Sequence, residues 1–346
     1  MIDKIKNKLE KSLADYIDDL DNIYNLQAIS PILSRNIKDF LSRKGKRLRP
    51  ALFVMGYLAF AKKEARNLYK SALSIEFLHD FMLIHDDIID KSDLRRGLPS
   101  MHRMLDAHLK GRANLKFGGS DLAIVVGDVI YAMAINTFLS IDEDPVRKEQ
   151  ALKKFTEAAL YTGGGEFVEL LLTLKDINKI TKDDIYKIYD LKTANYTFSS
   201  PLSIGALLAG APKIQCDRLF RYGTYLGRAF QIKDDILDMF GEEKKIGKSP
   251  LTDLKEAKKT LLLWHAYHAS SRRDRSTIKK TLASDSLTRK DLLKIRDIVS
   301  SAGSLDYAKK EITRFIREAG KISASLSMRP QYKKMLDSYC NELVKI

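Results

Sequence analysis

Two clusters of aspartates are the residues of this sequence best suited to chemistry. The first reads Asp86-Asp87-Ile88-Ile89-Asp90, and the second reads Asp234-Asp235-Ile236-Leu237-Asp238. Residues four apart on an α-helix share one face and lie about 6 Å apart along its axis, so the outer carboxylates of each cluster could bind a cation. Adjacent carboxylates repel one another unless a cation neutralises them. Magnesium is the predicted ion, because it prefers hard oxygen ligands and shares its other coordination positions with water and substrate phosphates.

Basic residues flank the first cluster in the sequence. Arg95-Arg96-Gly97 follows the cluster, and Gly45-Lys46-Arg47-Leu48-Arg49-Pro50 precedes it. An arginine presents a planar fork to paired phosphate oxygens, while a lysine supplies a mobile point charge. Either basic group alone would be interpreted as solvated surface. Beside two metal-binding patterns, the basic groups predict a site for diphosphate.

The composition limits the class of protein. The 346 residues are 45% hydrophobic, with 8 prolines and 18 glycines, which is enough for a sizeable core built from long elements. The net charge of +15 indicates an anionic partner: nucleic acid, an acidic membrane face or a phosphorylated substrate. No zinc-ligand spacing, recognition-helix signature or RNA-binding motif accompanies the charge. A nucleic-acid partner is therefore not expected.

Two further features predict a cytoplasmic protein. Cys216 and Cys340 lie far apart and are the only cysteines, so neither a disulfide framework nor a paired-cysteine metal site is expected. The opening residues Met1-Ile2-Asp3-Lys4 are charged early and lack the apolar stretch of a signal peptide. A reducing cytosol fits both observations.

The elements that must position these residues are predicted to be helices. Apolar residues recur at three- to five-residue intervals among good helix formers, and no alternating strand pattern is sustained. We therefore predict an all-α bundle, with residues 1–346 forming one domain. Helices are expected at residues 3–19, 31–41, 49–61, 65–91, 99–109, 121–140, 145–161, 182–210, 214–240, 255–269, 275–283, 287–301 and 304–323. Gly163-Gly164-Gly165 predicts a bend, a break or an ordinary helix end after the seventh of these.

One apolar stretch requires a membrane test. Residues 122–141 are mostly apolar and long enough to span a bilayer. Asp128 and Asn136 argue against a span, because an aspartate near the bilayer centre costs about 2.5 to 3.5 kcal/mol on insertion scales. A helix buried inside a large bundle is also apolar on all sides. The stretch is therefore predicted to be a buried helix, and no transmembrane segment is expected.

From residue 45 to about residue 260 the chain resembles the trans-isoprenyl diphosphate synthases, also called polyprenyl synthetases. The motifs that carry the resemblance are Gly45-Lys46-Arg47-Leu48-Arg49-Pro50, His79, the first aspartate cluster with Arg95-Arg96-Gly97, Lys192-Thr193, Phe230-Gln231-Ile232-Lys233 before the second cluster, and Gly247-Lys248 with Asp253. The resemblance implies an isoprenoid-synthase bundle around a central cavity. Three magnesium ions would there bridge the two clusters to an allylic diphosphate, and the protein would be a homodimer.

The resemblance also implies roles for individual residues. The metal residues would be Asp86, Asp87, Asp90, Asp234, Asp235 and Asp238, with Asp87 and Asp235 either binding metal or holding its waters. The diphosphate of isopentenyl diphosphate would contact Lys46, Arg49, His79 and Arg96. The allylic diphosphate would contact Arg95, Lys192, Thr193, Gln231, Lys248 and Lys258. His79 taken alone would be interpreted as a core histidine.

The implied reaction is a head-to-tail condensation. The allylic diphosphate ionises, the double bond of isopentenyl diphosphate attacks the allylic cation, and loss of a proton completes a five-carbon extension. The residues expected to carry this chemistry are Lys192, Arg95, Asp86 and Asp234. Water must be kept out, because it would trap the cation as an alcohol.

The sequence departs from the family pattern at two places. Glu166 follows Gly165 where glutamine is common, and it could hydrogen-bond a lysine, hydrogen-bond a metal-bound water or cap a helix. Ala257 stands in Glu256-Ala257-Lys258, where Glu-Gly-Lys is usual. The second departure bears directly on the role expected of Lys258.

Product length is expected to depend on residues one turn before the first cluster, since they line the same face of the helix. Phe81 and Met82 occupy those positions. The pattern resembles the archaeal-type geranylgeranyl diphosphate synthases, and farnesyl diphosphate is the competing product. A terpene cyclase could share the fold and one aspartate cluster, but it would not need a second diphosphate site. A basic membrane or nucleic-acid module is the non-enzyme alternative.

Overall fold

The computed structural model describes residues 2–241, 254, 256–284 and 286–345, and helices dominate them. In chain order the α-helices are α1 (Ile2–Asp18), α2 (Leu20–Tyr24), α3 (Leu26–Ile29), α4 (Pro31–Ser42), α5 (Leu48–Leu58), α6 (Leu68–Ile89), α7 (Met101–Leu109), α8 (Gly119–Phe138), α9 (Pro145–Thr173), α10 (Lys182–Ile188), α11 (Ser200–Leu208), α12 (Lys213–Phe240), α13 (Leu261–Ala269), α14 (Arg272–Leu282), α15 (Arg289–Ser301), α16 (Ser304–Ala324) and α17 (Pro330–Val344). A 3₁₀-helix covers Ile177–Lys179 and a π-helix covers Tyr189–Ser199. Two short strands, β1 (Leu94–Arg95) and β2 (Leu98–Pro99), form a hairpin. The predicted all-α class is confirmed.

The chain divides into two compact units. The N-terminal unit comprises Met1–Lys153 and Ile204–Ala211, and the C-terminal unit comprises Lys154–Ser203 and Pro212–Ile346. The N-terminal unit is therefore discontinuous in sequence. The assignment of all residues to one domain stays a prediction.

Helix α6 is the central element of the N-terminal unit and packs against α8, α5 and α1. Helix α1 contributes Ile5, Leu9, Leu13 and Tyr16, which are all buried. Their three- and four-residue spacing places them on one face, as expected of an amphipathic helix. Helix α6 is thereby largely buried from Leu68 to Asp80, while most residues from Phe81 to Ile89 are partly exposed.

Helix α8 corresponds to the apolar stretch tested for a membrane span. Among the described residues it is the one helix long and apolar enough to cross a membrane, and 44% of its apolar 18-residue stretch is buried. One face packs on α6, while Ile124 and Val125 on the other face are exposed. The prediction of a helix buried on all sides was therefore wrong for one face.

Helix α12 is the central element of the C-terminal unit and packs against the π-helix and α16. Ile232 on α12 and Phe315 on α16 belong to one continuous buried cluster that also includes Leu262 of α13. This packing fixes the faces of α12 and the π-helix that carry the predicted site residues.

Most predicted helices are present, but several boundaries differ. Helix α9 runs through Gly163-Gly164-Gly165 to Thr173, so the predicted bend or end there was wrong. Helix α13 begins at Leu261, six residues later than the predicted start at residue 255. The predicted helix 182–210 is interrupted by the π-helix. Helices α2, α3 and α17 were not predicted.

Candidate active site

The first aspartate cluster occupies the C-terminal end of α6, which finishes at Ile89. The backbone N–H of Asp90 donates to the carbonyl of Asp86, so the last aspartate keeps the helical register. One carboxylate oxygen of Asp86 and one of Asp90 lie within 4.8 Å of one another. Acidic side chains at the negative end of a helix dipole repel both the dipole and each other. A cation between them would relieve both penalties.

The hairpin after α6 sends two consecutive arginines in different directions. Leu94 pairs with Pro99 and Arg95 with Leu98, so Arg96 and Gly97 form a two-residue turn. Both have positive φ, 56° and 76°, as a type I′ turn requires. Glycine suits the second position because it has no Cβ to strain.

Arg95 folds back onto the aspartate cluster. Its Nε donates to Asp87 Oδ1 at 2.8 Å, its Nη2 donates to the same oxygen, and Nη2 lies 3.6 Å from Asp86 Oδ2. Asp87 is fully buried, and its Oδ2 accepts no hydrogen bond from any described residue. Burial raises the pKa of Asp87 to about 6, although Arg95 opposes the shift. Asp87 thus holds Arg95 beside Asp86, and its metal-binding role stays a prediction.

Arg96 instead approaches two buried acids earlier on α6. Its Nη2 lies 3.8 Å from Glu76 Oε1 and 3.7 Å from Asp80 Oδ1. The structure thereby brings Arg96 to the part of α6 that carries His79. Burial, with Arg49 and Arg96 nearby, lowers the pKa of His79 well below its usual value, so the imidazole is neutral. Neither Glu76 nor Asp80 was identified from the sequence.

Arg47 has a structural role that the sequence alone does not reveal. The side chain is 3% exposed, and Nη1 donates to Glu76 Oε1 at 2.7 Å while Nε donates to Glu10 Oε1 at 2.9 Å. Arg47 therefore ties α1 to α6 at the start of α5. The neighbouring predicted substrate residues differ in exposure, since Lys46 is exposed and Arg49 is partly buried.

The second aspartate cluster lies near the C-terminal end of α12. Asp234 and Asp238 are partly buried, whereas Asp235 is buried. Asp235 Oδ1 accepts a 2.9 Å hydrogen bond from Gln231 Nε2, and Oδ2 accepts one from the Tyr189 hydroxyl. Both oxygens of Asp235 thus hold neighbouring side chains in place. The metal assignment for the cluster stays a prediction.

A chain of hydrogen bonds connects Asp235 to the π-helix. Thr193 Oγ1 donates to Gln231 Oε1 at 2.6 Å, so two consecutive hydrogen bonds link Thr193 to Gln231 and Gln231 to Asp235. Tyr189, which was not predicted from the sequence, also accepts a hydrogen bond from the backbone N–H of Leu261 at 3.0 Å. Burial and Asp235 raise the pKa of Tyr189 well above its usual value, so the hydroxyl stays protonated and donates.

Lys192 emerges from the same π-helix and is held by two carboxylates of α9. Its Nζ lies 2.5 Å from Glu166 Oε2 and 2.6 Å from Glu169 Oε2. The π-helix is a rare element that occurs often at functional sites. Of the three interpretations of Glu166, the structure shows the contact with a lysine. The pairs also explain why α9 continues past its three glycines, because they hold its last turns in place.

The other predicted residues near the end of the resemblance are only partly described. Lys258 Nζ lies 2.5 Å from Glu256 Oε2. Ala257 between them has φ of 52°, the left-handed conformation that the usual glycine would adopt without a Cβ penalty. The predicted residues Gly247, Lys248 and Asp253 lie outside the described residues.

The predicted chain-length residues lie on α6. The Phe81 ring stacks on Tyr131 of α8 with centroids 4.9 Å apart, and it meets His85 edge-on at 4.6 Å. Met82 is partly buried. Tyr131 was missed because nothing in the sequence shows which face of α8 meets Phe81. The ring pair gives Phe81 a rigid support.

Comparison with known proteins gives one consistent family. Residues 30–299 match the model of the polyprenyl synthetase family. A geranylgeranyl diphosphate synthase of Sulfolobus acidocaldarius is 33% identical over 279 residues, covering 80% of this chain and 78% of that protein. One of Methanosarcina mazei is 30% identical over 279 residues, covering 79% and 78%. A solved geranylgeranyl pyrophosphate synthase of Corynebacterium glutamicum, complexed with isoprenyl diphosphate and magnesium, superimposes with TM-score 0.89 at 24% identity, covering 100% and 99%.

Proposed function

The chain belongs to the polyprenyl synthetase family and is a prenyltransferase, and from that premise we propose that it condenses isopentenyl diphosphate with an allylic diphosphate. One observation carries the proposal: the two consecutive arginines of the β1–β2 hairpin diverge, Arg95 toward the aspartate cluster and Arg96 toward the buried acids beside His79. Two separated guanidinium groups suit two diphosphates. A terpene cyclase, which binds one diphosphate, would not need the second.

The donor atoms fit magnesium. Asp86 and Asp90 offer hard carboxylate oxygens within 4.8 Å of one another, the ligand type that magnesium prefers. Asp87 Oδ2 is a buried oxygen without a hydrogen-bond partner among the described residues. Three ions per site are proposed, held by Asp86, Asp90, Asp234 and Asp238. Bound magnesium would neutralise the charge that develops on a leaving diphosphate.

The basic and polar residues are assigned to the two diphosphates. Lys46, Arg49, His79 and Arg96 hold isopentenyl diphosphate. Arg95, Lys192, Thr193, Gln231, Lys248 and Lys258 hold the allylic diphosphate. Side chains that are held in place before the substrate binds favour charge stabilisation, since they need little reorganisation during the reaction. In the C-terminal unit, the hydrogen bonds from Thr193 to Gln231 and from Gln231 to Asp235 fix the orientation of these side chains.

The bonds change as follows. The carbon–oxygen bond of the allylic diphosphate breaks, and its electron pair leaves with the diphosphate. The double bond of isopentenyl diphosphate forms the new carbon–carbon bond to the allylic cation. A proton then passes from the isopentenyl carbon to an oxygen of the departed diphosphate. No histidine or glutamate of the chain is needed as a base.

The proposed product is geranylgeranyl diphosphate. Phe81, supported by Tyr131, and Met82 stand one turn before Asp86 on α6, where a growing tail would meet them. The relatives named above carry the same product in their names. Farnesyl diphosphate is the alternative, and it would require that these side chains stop the tail one unit earlier.

A cytoplasmic homodimer is also proposed. The support for a dimer is a group of exposed apolar side chains on and directly after α8: Ile124, Val125 and Leu139 are 44%, 57% and 46% exposed, with the exposed Asp128 beside them. Exposed apolar side chains that are bordered by polar ones commonly mark protein contacts. Sedimentation of wild type and Val125→Glu tests the assembly: a dimer that the charge converts to monomer supports it, and a wild-type monomer contradicts it.

Product analysis tests the activity. Purified protein is incubated with magnesium, isopentenyl diphosphate and an allylic diphosphate of five, ten or fifteen carbons, and products are identified by mass spectrometry. A dominant twenty-carbon diphosphate is expected. A fifteen-carbon end product would retain the reaction and refute the length. No elongation with any starter, under conditions where the protein is folded, would refute the proposed function.

A further inference from the structure

A buried carboxyl on α6 lacks the partners that such a group requires. Asp80 is 1% exposed, and neither of its oxygens accepts a hydrogen bond from any described residue. A cation lies beside it without forming a hydrogen bond: Arg96 Nη2 is 3.7 Å from Asp80 Oδ1. Buried carboxylates are normally paired and hydrogen-bonded, because desolvation of an unpaired charge is very costly. The environment of Asp80 therefore suits a neutral carboxyl better than a carboxylate.

Arg47 does not pair with Asp80, because it already pairs with a second buried acid on α6. Glu76 lies one turn earlier on α6, is 2% exposed and already accepts from Arg47 Nη1 at 2.7 Å. The Glu76 carboxylate thereby occupies the buried Arg47 guanidinium and places a negative charge beside Asp80. Two neighbouring buried carboxylates resist ionising together.

The charged and titratable groups around Asp80 come from three elements. They are Arg47 and Arg49 at the start of α5, Glu76 and His79 on α6, and Arg95 and Arg96 on the hairpin. Burial and Glu76 raise the pKa of Asp80 to about 8, while Arg96, Arg47 and Arg49 oppose the shift. His79 stays neutral, since its pKa is lowered well below the usual value. Asp80 would therefore change charge between neutral and alkaline pH.

The charge of Asp80 bears on Arg96. A separation of 3.7 Å is longer than the 2.7 to 2.9 Å or so of a charge-assisted hydrogen bond. Arg96 is thus beside Asp80 without being clamped by it, and its guanidinium is partly exposed. An ionised Asp80 would attract that guanidinium and cancel part of its charge.

We propose that Asp80 is a positioning residue: while neutral it leaves the Arg96 guanidinium available to the diphosphate of isopentenyl diphosphate, and when ionised it withdraws Arg96 from that substrate alone. This inference rests on the proposed function. Asp80, which is not among the predicted site residues, would then control the affinity for isopentenyl diphosphate. Arg95 is held by Asp87 instead, so binding of the allylic diphosphate is independent of Asp80.

Steady-state kinetics from pH 6.5 to 9.5, at saturating magnesium, test the inference. The KM for each substrate is measured with the other saturating, for wild type and for Asp80→Asn. Asparagine keeps the shape of the side chain and does not ionise. If the ionised form does not bind, a pKa of about 8 gives about a tenfold rise in the wild-type KM for isopentenyl diphosphate between pH 7 and pH 9. The allylic KM, which shares the titration of a diphosphate, provides the internal control.

Asp80→Asn is expected to remove the alkaline rise while keeping the KM at pH 7 within about threefold of wild type. An identical rise in wild type and variant overturns the inference, and so does an equal rise for both substrates. Circular dichroism and thermal unfolding check that the variant is folded. Asp80→Thr, smaller and also non-ionising, gives the same test if the asparagine variant does not fold. Elongation with a pH-independent KM refutes only the role of Asp80, whereas no elongation at any pH refutes the proposed function.

Discussion

Replacing Glu166 with glutamine should strengthen binding of the allylic diphosphate. Lys192 lies between two carboxylates, 2.5 Å from Glu166 and 2.6 Å from Glu169, and all three side chains are at most 22% exposed. The two acids and one base carry a net charge of −1, which repels an incoming diphosphate and holds the lysine back. Glu166→Gln brings the net charge of these three side chains to zero and keeps the ion pair of Lys192 with Glu169.

The size of the effect follows from the contact that is removed. A hydrogen bond between charged groups contributes about 1.5 to 3 kcal/mol in a protein. A diphosphate that must compete with one such bond fewer gains at least about 1.4 kcal/mol, which is about a tenfold lower KM. The stability of the fold should change by less, about 1 kcal/mol, because Glu169 still pairs with Lys192.

The assay measures the KM for the allylic diphosphate and for isopentenyl diphosphate in wild type, Glu166→Gln and Glu157→Gln. Glu157 is an exposed acid on the same helix, so its variant removes an equal charge away from Lys192. Only Glu166→Gln should lower the allylic KM, and neither should change the KM for isopentenyl diphosphate. An allylic KM that is unchanged or raised would show that Glu166 does not hold Lys192 away from substrate.

Three further predictions concern product length, packing and pH. Phe81→Ala and Tyr131→Ala should each lengthen the main product beyond twenty carbons, the first more than the second, and unchanged mass spectra would rule out the ring pair as a stop. Gly205→Ala should cost about 3 kcal/mol in urea unfolding, because its Cβ would lie 2.1 Å from a backbone oxygen of α5, whereas Gly163→Ala, with open space, should not destabilise. Arg314, Tyr186 and Lys182 lower the pKa of Glu311 to about 2 against the opposing effect of burial. The ionised Glu311 carboxylate therefore stabilises the fold above its usual pKa of 4.5, and this stabilisation is lost as the pH falls toward 2. Glu311→Gln should reduce the fall in unfolding free energy over this pH range by about 1 kcal/mol, a value that allows for solvent screening. An equally steep fall in the variant would contradict this prediction.

The helical elements were predictable because their signals are local. Apolar spacing located α6, α8 and α12 to within a few residues. The error at Gly163-Gly164-Gly165 arose because helix propensity ignores tertiary contacts, and α9 is held beyond these glycines by the pairs of Glu166 and Glu169 with Lys192. The π-helix gave no signal, since a change of hydrogen-bond register leaves the apolar spacing nearly unchanged.

The candidate site was likewise predictable only where its geometry follows from local sequence. The spacing of Asp86 and Asp90 follows from the helix period, and the structure keeps their oxygens within 4.8 Å. The divergence of Arg95 and Arg96 depends on a two-residue turn with positive φ at both positions, which an arginine followed by glycine only suggests. The partners Glu76, Asp80, Tyr131 and Tyr189 were missed because their importance comes from burial against other elements.

The discontinuity of the N-terminal unit has a consequence for how the protein is synthesised. Residues 154–203 are made before Ile204–Ala211, the segment that returns to this unit and sets Gly205 against the backbone of α5. At about 5 to 20 residues per second, a ribosome needs roughly 3 to 12 s to pass from Lys153 to Ala211. During that interval the surface of α5 that Gly205 will cover stays open to chaperones and to neighbouring nascent chains. A fragment that ends at Lys153 would leave that surface of α5 permanently exposed, and a synthetic peptide with the sequence of α11 is expected to bind it.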